Sequence, residues 1–233
     1  GGETAMKPRA GHIEPYGKIE ELNIEKEMVG LYISGHPLDE YSFEMQFFTN
    51  TPISDLKDMD RLWGREIKIG GIVTNVQHRM TKTGKPFGQM TIEDYNDSHQ
   101  FFLFSDNYTT FKSFLETGWF LYMSCTVGNR WHSEELELKI NNIEHLGDIR
   151  QKLTKGIELN VQVQDVNDVL VDELESIISK YPGSAALRLN VAGQFENRDI
   201  TLEMISRKTS VDITDELLRE IKNKDELRYR ILT

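Results

Sequence analysis

Apolar and polar positions follow three different rhythms along the 233-residue chain. From Ile24 to Tyr41, "EKEMVGLYISGHPLDEY" places Met28, Leu31 and Tyr32 at helical spacing and then breaks at Ser34, Gly35 and Pro37, because proline disfavours helix for the residue before it. The pattern predicts a helix, a turn and a second short helix through Phe48. Residues 51–64 look mostly polar, with Ser54 and Asp55 placed to favour a turn or a helix cap. Between Glu66 and Leu146 the period drops to two. Five strands follow from it: Glu66 to Met80, Phe87 to Tyr95, His99 to Phe104, Trp119 to Val127 and Glu135 to Ile143. Between the third and fourth, "DNYTTFKSFLETG" puts Tyr108, Phe111 and Leu115 on one helical face, and Gly118 ends it. Three strands, a helix and two strands is the order of an OB-fold barrel. Gly70 and Gly71 are expected to supply the bend in its long first strand. Another small antiparallel barrel, or an SH3-like fold, is the competing arrangement.

From Gly156 onward the alternation returns. "IELNVQV" reads as a strand, and Asn167 caps a helix with Leu170, Leu174, Ile177 and Ile178 inward. After the stop signal "YPG", "ALRLNVA" and "DITLEMI" form a hairpin. "TDELLREIK" is a helix capped by Thr214, and "LRYRIL" a last strand. The order βαββαβ predicts a split-βαβ, ferredoxin-like sandwich. The expected class is multidomain α+β: a five-stranded OB-fold β-barrel followed by a small βαββα(β) sandwich, with a short helical N-terminal segment. Expected boundaries are a mobile leader at 1–20, a helical connector at 21–63, the barrel at 64–147 and a protein-docking domain at 155–233.

Charge changes the picture. The net charge is −11, and residues 64–147 hold ten acidic against eight basic residues, so bulk attraction to nucleic acid is excluded. Any such binding must be local. The one basic patch is Arg79, Lys82 and Lys85, with His78 beside them, in the loop joining the first two strands. OB-folds bind on the face of strands two and three, between that loop and the one joining strands four and five. If Met90 and Ile92 point inward, Phe87, Gln89 and Thr91 point outward. If Phe101 and Leu103 point inward, Gln100 and Phe102 point outward. Phe87 and Phe102 are then candidate stacking platforms beside Gln89, with Arg130, Trp131 and His132 contributing from the second loop. The competing role for these rings is packing beneath a neighbouring domain.

Catalytic chemistry is missing from the pattern. There is no Ser/His/Asp order, phosphate-cradling glycine loop or Cys/His metal spacing, so no catalytic residue, metal or cofactor is expected. Asp58 and Asp60 are flanked by Lys57 and Arg61 and fit a solvated surface better than a metal pair. His36 fits a packing or capping residue. The lone Cys125 rules out an intrachain disulfide, and no apolar run approaches the roughly 20 residues that span a bilayer. A cytoplasmic protein without membrane contact is expected. The opening Gly-Gly suits an expression scar or a cut-out fragment better than a natural start.

"EKEMVGLYISGHPLDEY", "TKTGKPFGQMTIEDY" and "FFLF" at the end of the third strand resemble the C-terminal region of the bacterial replicative DNA polymerase III alpha subunit. The region after 156 resembles it more loosely, through element order and "KYPG". The resemblance implies an OB domain that contacts single-stranded template DNA. It also implies a final domain that docks the tau subunit of the clamp loader, among other replisome subunits. The parent would be a DNA-directed DNA polymerase, a nucleotidyltransferase, whose palm lies upstream, so this fragment is expected to be inactive. "QFFLF" fits the family's loose clamp-binding pattern, but its Leu103 is expected to be buried in a strand, which puts the family's motif upstream of residue 1. "TKTGKPFGQMTIED" also resembles the anticodon-binding domains of class II aminoacyl-tRNA synthetases. An RNA-binding OB module, or a structural adapter, is therefore the alternative.

Overall fold

The computed structural model describes residues 22, 24–26, 28, 32, 34–130, 133–196 and 198–233. The chain falls into two compact units, residues 1–40 and 41–233. In the first, the expected leader and Leu31 lie outside the described residues, and Met28 is exposed. His36 caps: its Nδ1 accepts from the Leu38 amide at 3.1 Å, while Asp39 accepts from the His36 amide at 2.8 Å. A 3-10 turn, Pro37–Tyr41, starts at that point.

The second unit begins with α1 (Ser42–Phe48), a 3-10 turn (Ile53–Lys57) and α2 (Met59–Leu62). The stretch that looks polar in sequence is in fact anchored in the barrel core. Ile53, Leu56 and Leu62 are buried among the strand residues, and the buried Asp94 accepts from the Ile53 amide at 2.7 Å. Asp58 caps α2 by accepting from the Arg61 amide.

The barrel strands are β1 (Glu66–Met80), β2 (Pro86–Glu93), β3 (Ser98–Phe104), β4 (Phe120–Asn129) and β5 (Leu136–His145). A helix, α3 (Ser105–Phe111), lies between β3 and β4 and tightens into a 3-10 turn, Lys112–Phe114. The sheet order is β3-β2-β1-β4-β5, antiparallel throughout. Ile67, Ile69, Met90, Ile92, Leu103, Leu121, Met123 and Cys125 are almost fully buried. Burial pushes the Cys125 thiol up to about 12, so it stays protonated. Gly70 and Gly71 both pair regularly with β4, and the bulge in β1 falls between Val73 and Asn75. These glycines allow close approach: a Cβ on Gly71 would come within 2.6 Å of the Glu93 carbonyl oxygen.

After β5 the chain turns directly into α4 (Leu146–Leu153). Its Arg150 joins the barrel side to the sandwich by donating to the buried Glu44 at 2.8 Å, pairing with Asp215 at 3.1 Å and covering the Phe43 ring. The sandwich contains β6 (Gly156–Gln162), α5 (Asp168–Lys180), β7 (Pro182–Phe195), β8 (Arg198–Val211), α6 (Asp215–Lys222) and β9 (Leu227–Leu232). Asn167 and Thr214 cap α5 and α6, as their side chains require. The element order matches the expectation, but the pairing is not split. The sheet runs β8-β7-β6-β9, with β6 and β7 parallel and adjacent. The crossover through α5 therefore returns to the neighbouring position, and the β7–β8 hairpin is about twice the length its apolar stretches suggest.

Candidate nucleic-acid interface

The register of β1, β2 and β3 decides which side chains share the outer face. Arg79 pairs with Phe87 and Phe87 with Phe104, while Gln77 pairs with Gln89 and Gln89 with Phe102. Asn75, Thr91 and Gln100 make the next rung. Directly paired residues point to the same side of a sheet, so nine side chains form three rungs. None of the nine is acidic.

Alternation places the expected residues correctly. Met90, Ile92, Phe101 and Leu103 are buried, Phe87, Gln89 and Thr91 are half-buried, and Gln100 and Phe102 are exposed. One aromatic went unclaimed: Phe104 lies two residues beyond Phe102 and is 48% exposed, as Phe102 is. Its ring stacks on Phe87 at 4.9 Å between centroids and lies within 10° of parallel to Phe102 at 6.3 Å. The same alternation that selects Phe102 also selects Phe104.

The tip between β1 and β2 is tightly built. The Thr81 amide donates to the Lys85 carbonyl at 2.8 Å and the Gly84 amide to the Thr81 carbonyl at 2.9 Å, with Gly84 at φ +78°. That left-handed backbone favours glycine. Lys82 and Lys85 project from this tip into solvent, and Arg79 donates to Gln77 on the same face. His78 does not join them. It sits opposite Gly88, and its Nδ1 meets the Tyr108 hydroxyl at 3.0 Å. A Cβ on Gly88 would lie 2.2 Å from Leu115, so the segment from α3 to Leu115 occupies that opposite side. Arg130 closes the other loop, with its amide donating to the Glu135 carbonyl at 2.8 Å and its guanidinium paired with the Glu135 carboxylate at 3.4 Å. Trp131 and His132 lie outside the described residues. Among the described residues no group of three or more His, Cys, Asp or Glu could hold a metal ion, and no helix is long and apolar enough to cross a membrane.

Residues 67–146 match the family model for an OB-fold nucleic acid binding domain. Residues 157–232 match that for the DNA polymerase III alpha subunit, C-terminal domain. The sandwich is similar to that domain. The likeness to the alpha subunit runs through most of the chain. DNA polymerase III subunit alpha of Pseudomonas fluorescens is 25% identical over 207 residues, covering 88% of this chain and 17% of its own length. The Saccharopolyspora erythraea subunit is 25% identical over 233 residues, covering 95% and 19% respectively. The chain thus spans less than a fifth of the length of these curated relatives. Among solved structures, a mitochondrial single-stranded DNA binding protein of S. cerevisiae, Rim1, aligns at a TM-score of 0.26 and 12% identity, over 35% of this chain and 94% of its own.

Proposed function

We propose that this chain is a noncatalytic C-terminal segment of a bacterial replicative DNA polymerase, acting in the cytoplasm without a cofactor. Its barrel holds single-stranded template DNA on the outer face of β1–β3, and its sandwich docks the tau subunit of the clamp loader. The observation that carries the DNA reading is the acid-free face of three rungs, in which Phe87, Phe104 and Phe102 line up beside a tip bearing Lys82 and Lys85. Each ring supplies a flat apolar platform for a base, and the cations reach phosphates. Stacking contributes about 1–3 kcal/mol per base, and three cations give a salt slope of about −2 on single strands. The site is therefore weak alone and gains from being tethered to a polymerase that already holds the template, because the second contact becomes intramolecular.

Anisotropy of a labelled oligothymidylate at low salt tests this. The variant Phe87→Ala, Phe102→Ala, Phe104→Ala should bind more than tenfold more weakly than the unmodified chain. Equal affinities would overturn the barrel's role. Capture by immobilised tau tests the sandwich, and retention no better than that of an unrelated acidic protein would remove that partner.

A further inference from the structure

Where the sandwich meets the barrel, two clefts of about 420 and 410 Å³ adjoin through Lys155 and Thr233. Lys68 and Lys152 line the first, and Arg188 and Arg230 line the second. Five cations thus face one groove in a chain whose net charge is −11. Three are partly neutralised: Lys68 by Glu66 at 3.1 Å, Lys152 by Glu144 at 2.6 Å and Arg230 by Glu158 at 2.9 Å. Lys155 and Arg188 are exposed and carry no ion pair among the described residues. Lys155 is fixed at the seam by its backbone, its amide donating to the Leu232 carbonyl at 2.7 Å and its carbonyl accepting from the Ala186 amide at 2.9 Å.

The groove continues onto the sheet face opposite α5 and α6. Arg188 and Arg230 both pair with Glu158 in register, on strands that flank β6 from either side. They are therefore two strand spacings apart, roughly 10 Å, which is too far for both to clamp a single small anion. The spacing suits an extended polyanion. The next rung is Arg228, Asn160, Asn190 and, at the far edge on β8, the exposed Glu203, with the Asn190 amide donating to Asn160 at 3.1 Å. The residues of these two rungs on β9, β6 and β7 include no aromatic ring, and of the three rings lining the first cleft Phe48 and Tyr122 are buried and Phe47 is half-buried.

We propose that this groove holds the phosphodiester backbone of a nucleic-acid strand, as a second contact separate from the aromatic face of the barrel. The charge complementarity lies in Lys155 and Arg188, the two of the five cations that make no ion pair among the described residues. Backbone contacts of this kind position a strand without reading its sequence.

Anisotropy titrations of the 233-residue chain with a 20-nucleotide oligothymidylate, and with a duplex of the same length, across a salt series test this. In Lys155→Gln, Arg188→Gln the slope of log affinity against log salt should fall by about 1.4 on the single strand, from about 0.7 per cation. Affinity at low salt should drop about fivefold or more. Each single variant should show half the slope change, so a folding defect in the double variant does not decide the outcome. On the duplex the same two contacts would give about 1.8, from about 0.9 per cation, so the occupant is read from affinity: a larger loss on the duplex would identify paired DNA, and a larger loss on the single strand would identify the unpaired template. Unchanged slope and affinity on both would overturn the proposal, as would polyglutamate competing as well as the oligonucleotide. The triple phenylalanine variant separates the two sites. If it binds like the unmodified chain while the double variant does not, the barrel reading fails and this one stands.

Discussion

On the outer face of β1–β3, Arg79, Phe87 and Phe104 share one rung and Gln77, Gln89 and Phe102 the next. On the uncovered face of the sandwich, Arg230, Glu158 and Arg188 share one rung and Arg228, Asn160 and Asn190 the next. Both faces are dictated by two-residue alternation over an apolar underside, and both collect cations and amides. Only the barrel face has rings. The sandwich face instead carries carboxylates: Glu158, whose side chain is mostly buried by its neighbours, and the exposed Glu203 and Asp199 on β8. Under the two proposals the same strand geometry serves base stacking on one sheet and backbone contact on the other, and the difference lies in three phenylalanines.

The largest effect expected on this comparison comes from removing the support under each face. Met90 and Leu159 are almost fully buried beneath the two sheets. Truncating either to Ala should destabilise its half by about 2–5 kcal/mol, from lost transfer energy and the cavity left behind. Denaturant melts followed by the near-ultraviolet signal would measure it. Arg150 ties α1, α4 and α6 together, so the two transitions should separate further in Arg150→Met than in the unmodified chain. A single coincident transition in every variant would mean that the faces are not independently supported.

A smaller effect tests the ring that the sequence reading passed over. Phe104→Ala alone should weaken oligothymidylate binding by about 1–3 kcal/mol, the usual contribution of one stacked base. It should leave the salt slope unchanged, because no cation is lost. Phe104 stacks on Phe87, so its removal also frees the Phe87 ring, and the loss should exceed that of Phe102→Ala. Equal losses would place the rings as separate platforms.

The strand order of the barrel, the inward and outward faces of β2 and β3, and the caps at Asn167 and Thr214 were legible, because each follows from a local rule. What sequence spacing missed depends on long-range contact. Ile53, Leu56 and Leu62 are spread among polar neighbours, and only the folded barrel shows that all three enter its core. His78 lies next to Arg79, yet strand alternation sends it to Tyr108 on the other side. Arg130 counts as a free cation until the hairpin closes and brings Glu135 to it. The split pairing failed for a similar reason: element order is one-dimensional, and whether a crossover skips a neighbour is decided by how β7 packs against β6.

The smallest effect concerns the mostly buried carboxylate on the sandwich face, Glu158. Arg230, donating to both oxygens of Glu158 at 3.1 and 3.0 Å, holds this carboxyl below its ordinary value, with further help from Asn190 and Asn160 and against the opposing cost of burial. A lowered folded-state pKa stabilises the protein above the unfolded value, roughly 4.3 for Glu. That contribution is lost as pH falls through the folded value. Stability should therefore be level from neutral pH down to the ordinary Glu range and decline below it. In Glu158→Gln that part of the acid limb should flatten, because the residue no longer titrates, while stability at neutral pH falls through loss of the charged pair. The barrel face has no counterpart, since its nine rung residues include no acid. Denaturant midpoints collected from pH 7 to pH 3 would show the difference, and an acid limb unchanged by Glu158→Gln would place the linkage on other carboxylates, such as Glu220, which Lys180 and Tyr181 also hold low.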